Sequence, residues 1–127
     1  MTAEGDYQQE LRERDARQKQ LDEVVAAATG AVAFVIADSQ PALHSRFFYG
    51  ATGIHPRHLV TWYLFATDGE LEEAKRAGLT GRIDVLTREQ LARQGYPAEA
   101  IPEVMVSFTT DEDIQRETGG DYWAYFK

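Results

Sequence analysis

The chain has 127 residues, of which 43% are hydrophobic and 27% are charged, and these values are typical of one globular domain. It contains no cysteine, which excludes disulfides and thiolate chemistry, and its formal net charge of −8 argues against nucleic acid as a partner. The first 15 residues have neither the basic nor the apolar segment of a secretory signal, and no apolar run could cross a bilayer. The sequence therefore predicts a cytoplasmic protein without a membrane partner.

The N-terminal segment predicts a long helix. Residues 3–28 contain no helix breaker and are rich in good helix formers, and Gly30 is expected to end the helix. Arg14 and Gln18 interrupt the apolar stripe, so the first half of this helix is expected to be partly solvated. We take residues 1–28 as the N-terminal helix of a single domain that spans residues 1–127.

Five segments have the apolar or alternating pattern of a strand. They are residues 31–37, 43–49, 59–66, 104–109 and 121–126, with a further short strand considered at residues 83–86. Residues 59–66 are apolar on both faces, which is typical of a central strand. Trp62 and Phe65 are accordingly expected to be buried on opposite faces of the sheet.

Three threonines predict helix N-termini. Thr67, Thr87 and Thr110 each begin a capping box or a close variant, and each motif is followed by a glycine suited to a helix C-terminus. The predicted helices cover residues 68–77, 88–94 and 111–118. Together with the strands they predict an α+β domain: an N-terminal helix, then a mostly antiparallel or mixed sheet of about five strands, with short helices packed chiefly on one face.

The charge is distributed unevenly along the chain. Residues 24–66 hold one acid, two arginines and all three histidines, whereas residues 67–127 hold thirteen acids against seven bases. If the second and third strands form a hairpin, one small anion or nucleotide site is expected from His44, Arg46, His55, Arg57 and His58. The competing interpretation is that both arginines pair with acids of the C-terminal half. We expect no metal, because Pro56 separates two of the histidines and no carboxylate lies nearby in sequence, and no cofactor.

The C-terminal half combines acids with aromatic residues. Asp111, Glu112 and Asp113 are candidates for an acidic protein interface, and Trp123 and Tyr125 are candidates for its aromatic anchors. The competing interpretation is that the acids complement the dipole of a helix and that the aromatic residues belong to the core.

No motif in the sequence identifies a family or a catalytic mechanism, which favours a protein that is not an enzyme. The leading hypothesis is a small acidic binding protein that neutralises a basic protein partner, in the manner of an immunity or inhibitor protein. The alternative is a domain that binds a small anion or nucleotide, or an enzyme of modest activity, built on residues 44–58.

Overall fold

The computed structural model describes residues 3–127, which form a three-stranded sheet and five α-helices. The strands are β1 (Ser45–Tyr49), β2 (Val60–Phe65) and β3 (Met105–Thr110). The helices are α1 (Ala3–Val35), α2 (Asp68–Arg76), α3 (Leu79–Arg93), α4 (Asp111–Thr118) and α5 (Tyr122–Tyr125), with 3₁₀ turns at Pro56–His58 and Ile101–Glu103. The predicted α+β class with a helix at its N-terminus is confirmed.

The sheet has the order β1-β2-β3 and is mixed. β1 and β2 form an antiparallel hairpin in which Ser45 is opposite Leu64 and Tyr49 is opposite Val60. β3 runs parallel to β2, and α2 and α3 form the crossover between them. The strand at residues 59–66 is thus central as predicted, but the expectation of about five strands is wrong.

The segment predicted as the strand 31–37 belongs to a helix. α1 does not end at Gly30 but continues to Val35, so it has 33 residues and a length of about 50 Å. Residues 26–28 and 31 are alanines, which strongly favour a helix, and the Thr29 hydroxyl donates to the Val25 carbonyl 2.9 Å away. No helix within residues 3–127 has both the length and the apolar character that a membrane span requires.

Two other predicted strands are also helical. Residues 83–86 lie within α3, and residues 122–125 form α5. Gly119 and Gly120 both have positive φ angles, of 62° and 94°, so the chain reverses after α4. Asp121 then caps the next turn by accepting a hydrogen bond from the Ala124 N–H.

The threonine motifs give two correct helix starts and one wrong one. Thr67 forms a complete capping box with Glu70, and the Thr110 hydroxyl accepts from the Asp113 N–H at 2.9 Å. Thr87 instead lies in the middle of α3, where its buried hydroxyl bonds the Ile83 carbonyl and the Tyr63 hydroxyl, both at 2.7 Å. Because α3 begins at Leu79, the backbone N–H groups after Thr87 are bonded within the helix and need no cap. The Thr87 side chain instead fills a position in the core.

Helices cover one face of the sheet, and the C-terminal segment contacts the other. Tyr63 and Phe65 point to the helical face and are fully buried against residues of α1, α2 and α3. Trp62 points to the opposite face, where the ring of Phe126 lies 4.9 Å from it, and it is half-buried. This face is therefore the more open one.

Candidate functional site

The loop of the β1–β2 hairpin is held by α1. The Gln18 side-chain amide donates to the Gly50 carbonyl at 3.0 Å and accepts from the Gly53 N–H at 2.8 Å. The Arg17 guanidinium donates to the Gly53 carbonyl at 3.1 Å. These bonds explain why a polar residue interrupts the apolar stripe of α1 at Gln18: it contacts loop backbone, which an apolar side chain would leave unsatisfied.

The two glycines of the loop serve its packing. Gly50 has a φ of +134°, and a Cβ atom there would lie 2.1 Å from the His58 carbonyl oxygen. A Cβ atom at Gly53 would lie 2.4 Å from the Arg14 carbonyl oxygen. Both positions are therefore filled by neighbouring backbone, so these glycines do not provide the open backbone approach that a bound anion requires.

Replacing Gly50 with alanine is expected to lower the free energy of unfolding by roughly 1–3 kcal/mol, because the backbone strain and the contact with His58 are both unfavourable. Gly81 is the matched control, since it is exposed in α3, has no heavy atom within 4 Å of a built Cβ and has no positive φ. Gly81→Ala should raise the free energy by about 0.5–1 kcal/mol. Urea unfolding of both variants measures the difference, and equal effects of the same sign would contradict this description of the loop.

His55 and the 3₁₀ turn that follows it are held by structural hydrogen bonds. His55 caps the 3₁₀ turn Pro56–His58, because its Nδ1 accepts from the Arg57 N–H at 3.1 Å. The Pro56 carbonyl accepts from the Tyr96 hydroxyl at 2.5 Å. Burial, with a smaller contribution from the charge of Asp22, raises the pKa of Tyr96 to about 12, so this hydroxyl remains a donor at neutral pH.

The hairpin does not bring the five candidate anion ligands together. Arg46 is opposite Tyr63, three residues and about 10 Å along β2 from Val60, whereas Arg57 and His58 precede Val60. Arg46 lies instead beside Gly30 of α1, where its guanidinium would be 3.6 Å from a built Cβ. The candidates therefore form two groups, with His44 and Arg46 at one end of the hairpin and His55, Arg57 and His58 at the other.

The group around His44 and Arg46 borders a small cavity of about 160 Å³. Its other wall includes Ala33, Ile36 and Ala37, at the C-terminal end of α1. That end carries the negative pole of the helix dipole, which disfavours a bound anion. The cavity thus has the basic side chains of an anion site in an unfavourable electrostatic position.

Two of the three acids predicted to form an interface, Asp111 and Asp113, fasten the C-terminal segment to α4. Asp111 accepts from the Tyr122 hydroxyl at 2.7 Å, and Asp113 accepts from the Tyr125 hydroxyl. The Tyr125 hydroxyl also lies 2.7 Å from the Thr109 hydroxyl. Tyr125 is therefore an anchor of this segment within the fold, and its hydroxyl does not face a partner.

Residues of α2 and α4 complete this network. Asp68 accepts from the Thr110 hydroxyl at 2.6 Å and from the Arg116 guanidinium at 3.0 Å, and Glu112 accepts from the Asp68 N–H at 3.1 Å. Arg116 also binds Asp113. Hydrogen bonds from Thr110 and Arg116 lower the pKa of Asp68, and those from Tyr125 and Arg116 lower the pKa of Asp113.

The hydrogen bonds of Asp113 are expected to make the free energy of unfolding depend on pH. Because the pKa of Asp113 in the folded chain lies below its usual 3.8, its contribution to stability is present above that value and is lost as pH falls through the folded pKa. Asp113→Asn and Tyr125→Phe should therefore both show a shallower loss of unfolding free energy between pH 5 and pH 3 than the wild type. Denaturant unfolding across this range tests the expectation, and three parallel profiles would contradict it.

The most exposed aromatic side chain lies on the segment that this network holds. Trp123 of α5 is 89% exposed, although its neighbours Tyr122 and Tyr125 are bonded to acids. Phe126 packs against Phe47 of β1, with a distance of 4.4 Å between ring centroids. Trp123 thus faces solvent on a short helix whose other residues, Tyr122 and Tyr125, are bonded to acids of α4.

A largely apolar groove lies between β1 and this segment, beside the contact of Phe47 with Phe126. It has a volume of about 860 Å³ and is lined by Ser45–Tyr49 on one side and by residues of the segment 121–127 on the other, including Trp123 and Phe126. Tyr49 is 43% exposed beside it and accepts from the Trp62 indole N–H at 3.3 Å. We call this space the β1 groove. The sequence indicated Trp123 as an interface candidate, whereas Tyr49 and Phe126 stood out only as members of an aromatic excess and Phe47 was not singled out.

No protein-family model matches the chain, and no curated protein or solved structure is significantly similar to it. Within the part of the chain that the structure describes, no group of three or more histidine or acidic side chains lies close enough together to hold a metal ion. The β1 groove with Trp123 therefore becomes the candidate functional site on its own geometry.

Proposed function

We propose that the chain is a non-enzymatic binding protein that neutralises a basic protein partner, in the manner of an immunity or inhibitor protein. The observation that carries the proposal is the 89% exposure of Trp123 on a helix whose two tyrosines are bonded to acids of α4. A large aromatic side chain on a rigid support loses little entropy on binding and is typical of interface anchors. Two further aromatic residues extend this surface: Tyr49, which lines the β1 groove, and the partly exposed Trp62, which donates to the Tyr49 hydroxyl.

The charge of the chain supports a basic partner. The net charge is −8, and residues 67–127 hold thirteen acids against seven bases. Asp111 and Asp113 are used inside the fold, but their bonds leave the overall negative field in place. Such a field accelerates the association of an oppositely charged protein and makes the rate depend on salt.

The alternative, a small-anion or nucleotide site, has less geometric support. Its candidate ligands lie at the two ends of the hairpin, and the glycines beside them are occupied by backbone contacts. Calorimetric titration of phosphate or a nucleotide is its direct test. Heat that appears with the wild type and disappears with Arg57→Ala would favour this alternative over the proposal.

The proposal is tested by co-expression with the products of the genes that flank this one. One flanking product is expected to be a basic protein that stops growth when it is expressed alone, and the chain should restore growth. The purified pair should associate more slowly as the salt concentration rises, because salt screens the attraction. If no flanking product is toxic or binds the chain, the proposal is wrong in its present form.

A further inference from the structure

We infer that the free edge of β1 is the docking site for an extended segment of the partner, which adds to the sheet as a fourth strand. This inference rests on the proposed function and specifies how the partner is held. The segment is expected to alternate basic residues with apolar ones.

The edge of β1 is free along five residues. Within residues 3–127 the sheet has the order β1-β2-β3, so β1 pairs with β2 alone. Five residues of strand present about 17 Å of backbone, and every second residue directs its N–H and C=O groups outward. An edge of this kind is a template on which another strand can pair through main-chain hydrogen bonds.

Two walls rise beside this edge. On the helical face, α1 runs antiparallel to β1, since Gln18 bonds Gly50 at one end and Gly30 lies beside Arg46 at the other. A shallow depression, with a volume of about 550 Å³, lies between Phe48 and this part of α1. On the opposite face, the β1 groove lies between β1 and Trp123. The edge therefore lies between a helical wall and an aromatic wall.

The two walls differ in chemistry. The α1 wall carries three acids and one base, which are Asp15, Asp22, Glu23 and Lys19. The other wall is largely apolar and includes Phe47, Trp123 and Phe126. Successive side chains of an added strand point to opposite faces of the sheet. Residues of one parity would then meet the acids of α1, and residues of the other parity would meet the aromatic wall, so the occupant alternates Lys or Arg with apolar residues.

The test uses a displayed library of random ten-residue peptides, selected on the wild-type chain. We expect enrichment of peptides in which basic and apolar residues alternate. Their affinity should fall at least tenfold in Trp123→Ala and in the double variant Asp15→Lys/Glu23→Lys, whose residues are all exposed. Val85→Ala, at a 57% exposed position on α3, is the matched control and should bind as the wild type does.

A second measurement distinguishes strand addition from other contacts. Saturation with an enriched peptide should slow amide hydrogen exchange within residues 45–49. Enriched peptides that bind Trp123→Ala and the double variant with wild-type affinity would overturn the inference, as would binding without protection of β1 or a selection that enriches no peptide. Each of these results leaves the proposed function to its separate neutralisation test, so the two can fail independently.

Discussion

Replacing Phe65 with alanine is expected to lower the free energy of unfolding by about 3–5 kcal/mol. Phe65 ends the central strand, is fully buried and packs in the core cluster that joins α1, α2 and α3 to the sheet. Alanine would leave a cavity that the surrounding helices cannot close, because α1 and α3 are also held through the second cluster around Leu59 and Leu91. Urea unfolding monitored by circular dichroism measures the loss.

Trp62→Ala provides the comparison within the same strand. Trp62 is larger than Phe65 but half-buried on the open face, so its replacement should cost less than that of Phe65. A loss at Trp62 that equals or exceeds the loss at Phe65 would contradict the assignment of the helical face as the principal core.

Replacing Trp123 with alanine is expected to weaken partner binding at least about 30-fold, which corresponds to about 2 kcal/mol and is the usual effect of removing an interface anchor. The free energy of unfolding should change by no more than about 0.5 kcal/mol, because the side chain is 89% exposed. Titration calorimetry with the neutralised partner measures the first effect, and urea unfolding measures the second.

Phe34→Ala is the matched control for Trp123→Ala. Phe34 is an aromatic residue that is 84% exposed, but it lies on the last turn of α1 and does not line the β1 groove. It should leave both binding and stability close to those of the wild type. Equal losses of affinity in the two variants would show that binding depends on general surface hydrophobicity rather than on this site.

The elements that were predicted correctly from the sequence are those that a local residue pattern specifies. β2 is apolar on both faces, and this pattern alone distinguishes a central strand from an edge strand. Thr67 and Thr110 mark helix starts because a cap needs only the next three residues. The α+β class followed from these elements.

The elements that were predicted wrongly depend on contacts between residues that are distant in sequence. The run 31–37 has the composition of a buried strand, but α1 was already helical and its alanines allow it to continue. The alternating aromatic residues of 121–126 also suit a short helix lying on a sheet, and only the bonds of Tyr122 and Tyr125 to α4 decide between the two. Thr87 resembles a cap until Tyr63 is placed beside it.

The sequence indicated individual candidate residues but not which of them lie close together. The anion site was expected only if the second and third predicted strands form a hairpin. They do, as β1 and β2, yet the distance between Arg46 and Arg57 depends on the register, which no local pattern specifies. Likewise, Asp111 and Asp113 were recognised as a group of acids, but their bonds to two tyrosines appear only once α5 folds back over the sheet. Trp123 was proposed for the interface, and the structure shows that its side chain is exposed.

Amide hydrogen exchange of the chain alone and in complex tests whether the surface formed by β1 and Trp123 binds a basic protein. We expect saturation with the neutralised partner to slow exchange within residues 45–49 and 121–127 and to leave the hairpin loop at residues 50–59 little affected. Protection confined to the loop, or to the outer surfaces of α2 and α3, would show that the partner binds elsewhere.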